Sequence, residues 1–102
     1  MDQKFKVEYH DVFDAWLKEL ENSSNHGLYW MVSKRLKRIK TGSLGKHKSV
    51  GGGVSELKLD YGPGYRIYYT KRGAEMIFLL CAGDKSEQKK DIKLARKLAQ
   101  EV

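Results

Sequence analysis

The sequence predicts a small α+β domain, with helices packed on an antiparallel-rich sheet in the order β-α-α-β-β-β-α. Three observations carry that expectation. Apolar residues recur at helical spacing in two early segments and one late one. Two segments after residue 53 alternate apolar and polar residues, and Met76–Ala82 is an unbroken apolar run of seven. At 102 residues the chain has room for one core, so 1–102 reads as a single domain.

Taken in order, "KFKVEYH" puts Phe5, Val7 and Tyr9 on one side of a short strand. Asp11 is placed to cap a first helix carrying Val12, Phe13, Trp16, Leu17 and Leu20. "ENSSNHG" ends it, and a second helix sets Leu28, Val32, Leu36 and Ile39 on one face. "TGSLGKHKSVGGG" is glycine-rich without periodicity, so Thr41–Gly53 reads as a loop. "VSELKLDY" then alternates, with Leu57, Leu59 and Tyr61 inward and Glu56, Lys58 and Asp60 outward. "YGPGY" is a tight turn, expected to have Pro63 at its first central position. "YRIYYT" separates Tyr65, Ile67 and Tyr69 from Arg66, Tyr68 and Thr70, and Gly73 makes a second hairpin turn. Met76–Ala82 does not alternate, which suits a central strand covered on both faces. Asp84 or Ser86 caps a last helix with Ile92, Ala95, Leu98 and Val102 on its inner face.

Composition narrows the function. Met1 precedes polar and charged residues rather than a secretory h-region, and seven apolar residues are too few to cross a bilayer. A soluble, cytoplasmic protein with no membrane partner is expected. Cys81, a lone cysteine in the apolar run, excludes a disulfide framework and reads as a core residue. Three scattered histidines and one cysteine show no ligand spacing, so neither a metal nor another cofactor is expected.

The net charge of +7 is unevenly placed. Residues 1–22 hold three lysines and six acids, whereas 33–50 hold seven Lys and Arg and no acid. Residues 51–84 balance, and 85–102 add +3. One such cluster is ordinarily a solvated helix face. Two of them flanking a glycine-rich, aromatic sheet point toward phosphate and nucleic acid. Lys34, Lys37 and Arg38 lie three and four apart on the second helix, and Lys46, His47 and Lys48 centre the loop. By alternation Lys58, Arg66 and Tyr68 share the polar face of the sheet, and Lys85 stands where the last strand meets the last helix. Cations plus an aromatic suit binding a phosphodiester and stabilising the charge of a pentavalent transition state. Tyr68 is also placed to stack on a base.

"GVSELKLDYGPGYRIYYTKRG" followed by "IFLLCAGDKSEQKKDIKLARKLAQE" closely resembles the RelE/ParE toxin superfamily. Within it the match is to the phage Gp49-like, HigB-like group of addiction module killer proteins. The resemblance implies the toxin of a type II toxin–antitoxin pair, a ribosome-dependent mRNA endoribonuclease that blocks translation. Its partners would be the ribosome, mRNA and a helix-turn-helix antitoxin of the HigA type. Carried over by motif, Arg66 in "GYR" matches the arginine on the scissile phosphate, and Lys85 in "AGDK" a second catalytic cation. Lys58 matches a lysine of the preceding strand. RelE carries a tyrosine early in its last helix, where this chain reads "SEQKKD". The general base and acid are therefore open, with His47 and Tyr68 as candidates. The alternative in the same superfamily is a ParE-like toxin that inhibits DNA gyrase by protein contact, without nuclease chemistry.

Overall fold

The apolar periodicity before residue 41 becomes two helices on one face of a five-stranded sheet, and the late periodicity becomes one helix on the other. The computed structural model describes residues 4–102. In chain order the elements are β1 (Lys6–Tyr9), α1 (Asp11–Glu21), α2 (His26–Lys40), β2 (His47–Gly51), β3 (Val54–Leu59), β4 (Tyr65–Arg72) and β5 (Met76–Asp84). A 3₁₀ turn (Lys85–Glu87) leads into α3 (Gln88–Ala99). The fold is an α+β domain, but its order corrects the expected one. Four strands, not three, follow the first two helices, giving β-α-α-β-β-β-β-α.

The added strand is β2, in the segment read as a loop. His47, Lys48 and Ser49 are exposed and only Val50 is half-buried, so this edge strand has no apolar alternation to announce it. Its pairing with β3 is set by the turn between Gly51 and Val54. Gly52 and Gly53 have φ of +65° and +76°, and a two-residue hairpin with positive φ at both positions strongly favours glycine. Arg96 of α3 lies over this turn and donates from Nη2 to the Val50 carbonyl, which braces the edge.

The sheet order is β1-β5-β4-β3-β2, with β1 parallel to β5 and every other pair antiparallel. The middle strand is β4, but β5 is interior, between β1 and β4, with helices over both faces; that agrees with its unalternating sequence, and a bulge adds to the effect. Tyr68 pairs with Cys81 and Tyr69 with Leu79, so Leu80 is an extra residue that joins Cys81 in the same core. Phe13 of α1 and Leu28, Val32, Leu36 and Ile39 of α2 pack on Leu57, Ile67 and Leu79. On the opposite face Ala95, Leu98 and Ala99 of α3 pack on Val54, Tyr68 and Leu80.

Three local expectations are corrected. The first helix is capped by His10, not Asp11: His10 Nδ1 accepts from Val12 N at 3.1 Å. That leaves Nε2 to donate to Glu101 Oε1 at 2.9 Å, which joins α1 to the end of the chain. In the β3–β4 turn, Gly64 N donates to Tyr61 O at 2.9 Å, so Pro63 takes the second central position. Gly62, with φ of +54°, occupies the first. Asp84 caps the 3₁₀ turn rather than α3 itself, accepting at Oδ1 from Ser86 N (2.9 Å) and Ser86 Oγ (2.5 Å).

Candidate functional site

Residues directly opposite each other in an antiparallel ladder project on the same face. The register therefore writes the sheet as rows. Lys58 is opposite Arg66, and Arg66 is opposite Gly83. Lys58 N donates to Lys46 O at 3.1 Å, which extends this row to Lys46 just before β2. The first row is thus Lys46, Lys58, Arg66, Gly83. The second is Lys48, Glu56, Tyr68, Cys81. Both lie on the α3 face.

α3 covers the Tyr68 and Cys81 end of the second row. The cationic end instead lines two adjoining cavities. The first, ≈ 250 Å³, is bounded by Lys46, His47, Lys48, Glu56, Lys58 and Arg66. The second, ≈ 300 Å³, lies between Lys58, Arg66, Lys85, Asp60 and the Tyr61–Gly64 turn. Lys58 and Arg66 belong to both, so the two form one groove. Arg66 is 8% exposed, and its Nε and Nη1 have no hydrogen-bond partner among the described residues. The nearest acid is Glu56, itself 3% exposed, with Oε2 3.6 Å from Arg66 Nε and Oε1 3.6 Å from Lys48 Nζ. Gln88 at the start of α3 donates from Nε2 to Glu56 Oε2 at 3.1 Å.

Lys85 borders the second cavity and is anchored there by its backbone. Its N–H donates to Gly64 O at 2.9 Å, tying the end of β5 to the β3–β4 turn. Gly83 ends the first row because a side chain has no room there: an added Cβ would lie 2.1 Å from Asp91 Oδ2. Burial, with Glu87 and Asp84 adding to it, raises the Asp91 carboxyl above its ordinary value.

Arg66, Lys58, Lys85, Lys46 and Lys48 are therefore brought together. Of the other anticipated site residues, His47 borders the first cavity and the rest stand apart from it. Tyr68 is fully buried beneath α3 and has no face to offer a base, which corrects its placement with the exposed polar residues. Burial, then Glu56 and Asp91, pushes its phenol well above the ordinary range, so it stays protonated and is no base near neutrality. His47 stands opposite Leu57, whose side chain belongs to the α1–α2 face, and its Nδ1 is 2.7 Å from Gly45 O. The register directs its ring away from Glu56. Lys34, Lys37 and Arg38 lie on α2, in the layer across the sheet, and so do not extend the groove. Lys34 Nζ sits 4.1 Å over the ring of exposed Trp30, and Lys34 and Arg38 line a small recess with Met31 and Arg35.

Glu56 and Gln88 are site residues that sequence reasoning missed. The alternation marked Glu56 only as outward-facing; nothing local signals that α3 closes over it. Cys81 is the core residue its neighbours suggested: burial and then Asp91 push its thiol up to about 12, and Sγ donates to Asp91 O at 3.6 Å. Among the described residues no group of three or more His, Cys, Asp and Glu could hold a metal, and no helix is long and apolar enough to cross a membrane.

Fold and groove together define an α+β domain with a cationic channel across the α3 face of its sheet. The chain is 44% identical over 90 residues to a Haemophilus influenzae protein described as uncharacterized, covering 88% of each, and it belongs to that protein's family. No family model matches the chain.

Proposed function

We propose that the groove holds the sugar–phosphate backbone of single-stranded RNA, and that the protein is a ribosome-dependent mRNA endonuclease acting as a type II toxin. The observation that carries the reading is Arg66: a nearly buried guanidinium, in a row of like charges, with two nitrogens that have no hydrogen-bond partner among the described residues and one carboxylate 3.6 Å away. Unsatisfied buried donors are costly, and charge-assisted bonds to phosphate oxygens are what such a group is suited to make. Lys85 borders the same cavity and supplies a second cation for charge developing in the transition state. The motif resemblance of residues 53–100 to RelE-like toxins supports the same chemistry. On this reading the protein acts in the cytoplasm, and a helix-turn-helix antitoxin restrains it.

The test is to map transcript 5′ ends in a translating extract with and without the protein. New ends within translated mRNA are expected, with losses on the order of a hundredfold for Arg66→Ala and Lys85→Ala. Intact transcripts together with an SOS response on induction would instead favour a gyrase-directed toxin.

A further inference from the structure

We propose that Glu56 is the general base of the groove, taking the proton from the ribose 2′-hydroxyl of an RNA strand whose phosphate lies on Arg66. This rests on the RNA-cleaving reading above. Neither of the two residues first considered for the role is placed for it. Tyr68 is sealed beneath α3; His47 borders the first cavity, but its register partner is Leu57 rather than Glu56 and its Nδ1 is engaged with Gly45 O at 2.7 Å.

Glu56 has the geometry they lack. Its carboxylate lines the first cavity beside Arg66, with one oxygen 3.6 Å from Arg66 Nε and the other 3.6 Å from Lys48 Nζ. Contacts of that length are ion pairs, not hydrogen bonds, so both oxygens keep acceptor positions. Gln88 Nε2 donates to Oε2 and fixes the plane of the carboxylate, which makes Gln88 a positioning residue. A 2′-oxygen is adjacent to the phosphate it attacks. A base for this reaction therefore has to stand beside the phosphate clamp, as Glu56 stands beside Arg66. Asp60, the other acid of the groove, is exposed and borders only the second cavity.

The step balances. The 2′-hydroxyl proton passes to Glu56, the O2′–P bond forms and the P–O5′ bond breaks. The departing 5′-oxygen takes a proton from a lysine ammonium of the groove, leaving a 2′,3′-cyclic phosphate and a 5′-hydroxyl. Solvent then removes the proton from Glu56 and restores that of the lysine.

A carboxylate that only held Arg66 in place would give a different result on neutralisation. Glu56→Gln keeps the shape and the acceptor for Gln88 but removes a negative charge from a polyanion site. A base lost this way leaves RNA binding intact or tighter; a lost anchor for Arg66 weakens it. The experiment measures affinity for a 2′-O-methyl oligonucleotide, which cannot be cleaved, and cleavage of mRNA in a translating extract. Glu56→Gln should lose roughly 10²–10⁴-fold in cleavage while binding the oligonucleotide at least as tightly as the native protein. Arg66→Ala should lose both. Glu56→Asp, which keeps the charge if the glutamine variant folds poorly, should cleave faster than Glu56→Gln. Near-native cleavage by Glu56→Gln, equal rates for the Asp and Gln variants, or an affinity loss matching that of Arg66→Ala overturns the assignment. If the native protein itself binds the oligonucleotide but leaves translated mRNA intact, the cleavage reading fails, and the base assignment falls with it.

Discussion

Lys58 and Arg66 stand directly opposite each other on β3 and β4, a like-charge pair in which the arginine is all but buried. Like charges in this position destabilise a sheet, where a complementary pair would stabilise it by roughly 0.2–1 kcal/mol. Lys46 lengthens the row on one side, and Lys85 closes the groove at the turn. On the proposed reading, a bound phosphate would relieve the repulsion.

Stability and binding should therefore move in opposite directions at Lys58. Lys58→Thr should raise the unfolding free energy by a few tenths to about 1 kcal/mol. The same change should weaken affinity for single-stranded RNA and flatten the dependence of log K on log salt by about 0.7. Denaturant melts and titrations at several salt concentrations read both effects; a variant both less stable and unaltered in binding would contradict this account.

The two basic surfaces should separate in the same titration. Replacing Lys46 and Lys48 with Gln should flatten the salt slope by about 0.7 for each phosphate contact removed. Replacing Lys34, Lys37 and Arg38 should leave it unchanged, because α2 lies across the sheet from the groove. A flatter slope from the α2 triple variant would mean that RNA runs over both faces.

Tyr68→Phe removes a buried hydroxyl that has no hydrogen-bond partner among the described residues. The change should be neutral or stabilising, by up to about 1 kcal/mol, because no bond is lost and one desolvation cost disappears. Cleavage should persist at the native rate. A hundredfold loss in a well-folded Tyr68→Phe protein would restore this phenol to the chemistry.

Gly83→Ala should destabilise the fold by roughly 1–3 kcal/mol, since the new methyl would meet Asp91 Oδ2. Adding Asp91→Ala should recover part of the loss. A double-mutant cycle measured by denaturant unfolding checks the coupling, and strictly additive effects would show that the two residues do not compete for this space.

The raised carboxyl of Asp91 sets a sign for pH dependence. A group whose folded value lies above its unfolded value favours folding when protonated. Its contribution is complete below the ordinary aspartate range and is lost as pH rises through the raised value. Asp91→Asn should thus stabilise the protein more at pH 7 than at pH 3. Equal shifts in melting temperature at both pH values would exclude burial of this carboxylate as the cause.

Local pattern was enough to read the helices and the inner strands. Leu28, Val32, Leu36 and Ile39 recur at helical spacing, and each is buried on α2; Leu57 and Leu59 alternate, and each is buried on β3. Such patterns are legible because an element's apolar face is written in its own few residues. β2 was not legible, since an exposed edge strand owes its existence to pairing with β3 and to the Gly52–Gly53 turn rather than to apolar alternation. The site divides in the same way. That Lys58 and Arg66 project on one face follows from alternation; that they stand opposite each other, and opposite Gly83, follows from register. Alternation also put Glu56 and Tyr68 on that polar face, but could not foresee α3 lying over it. Glu56 meets Gln88 across 32 residues of chain, and Tyr68 disappears beneath Ala95 and Leu98. Burial of a face depends on what packs upon it, and here that packing comes from a helix distant in the sequence.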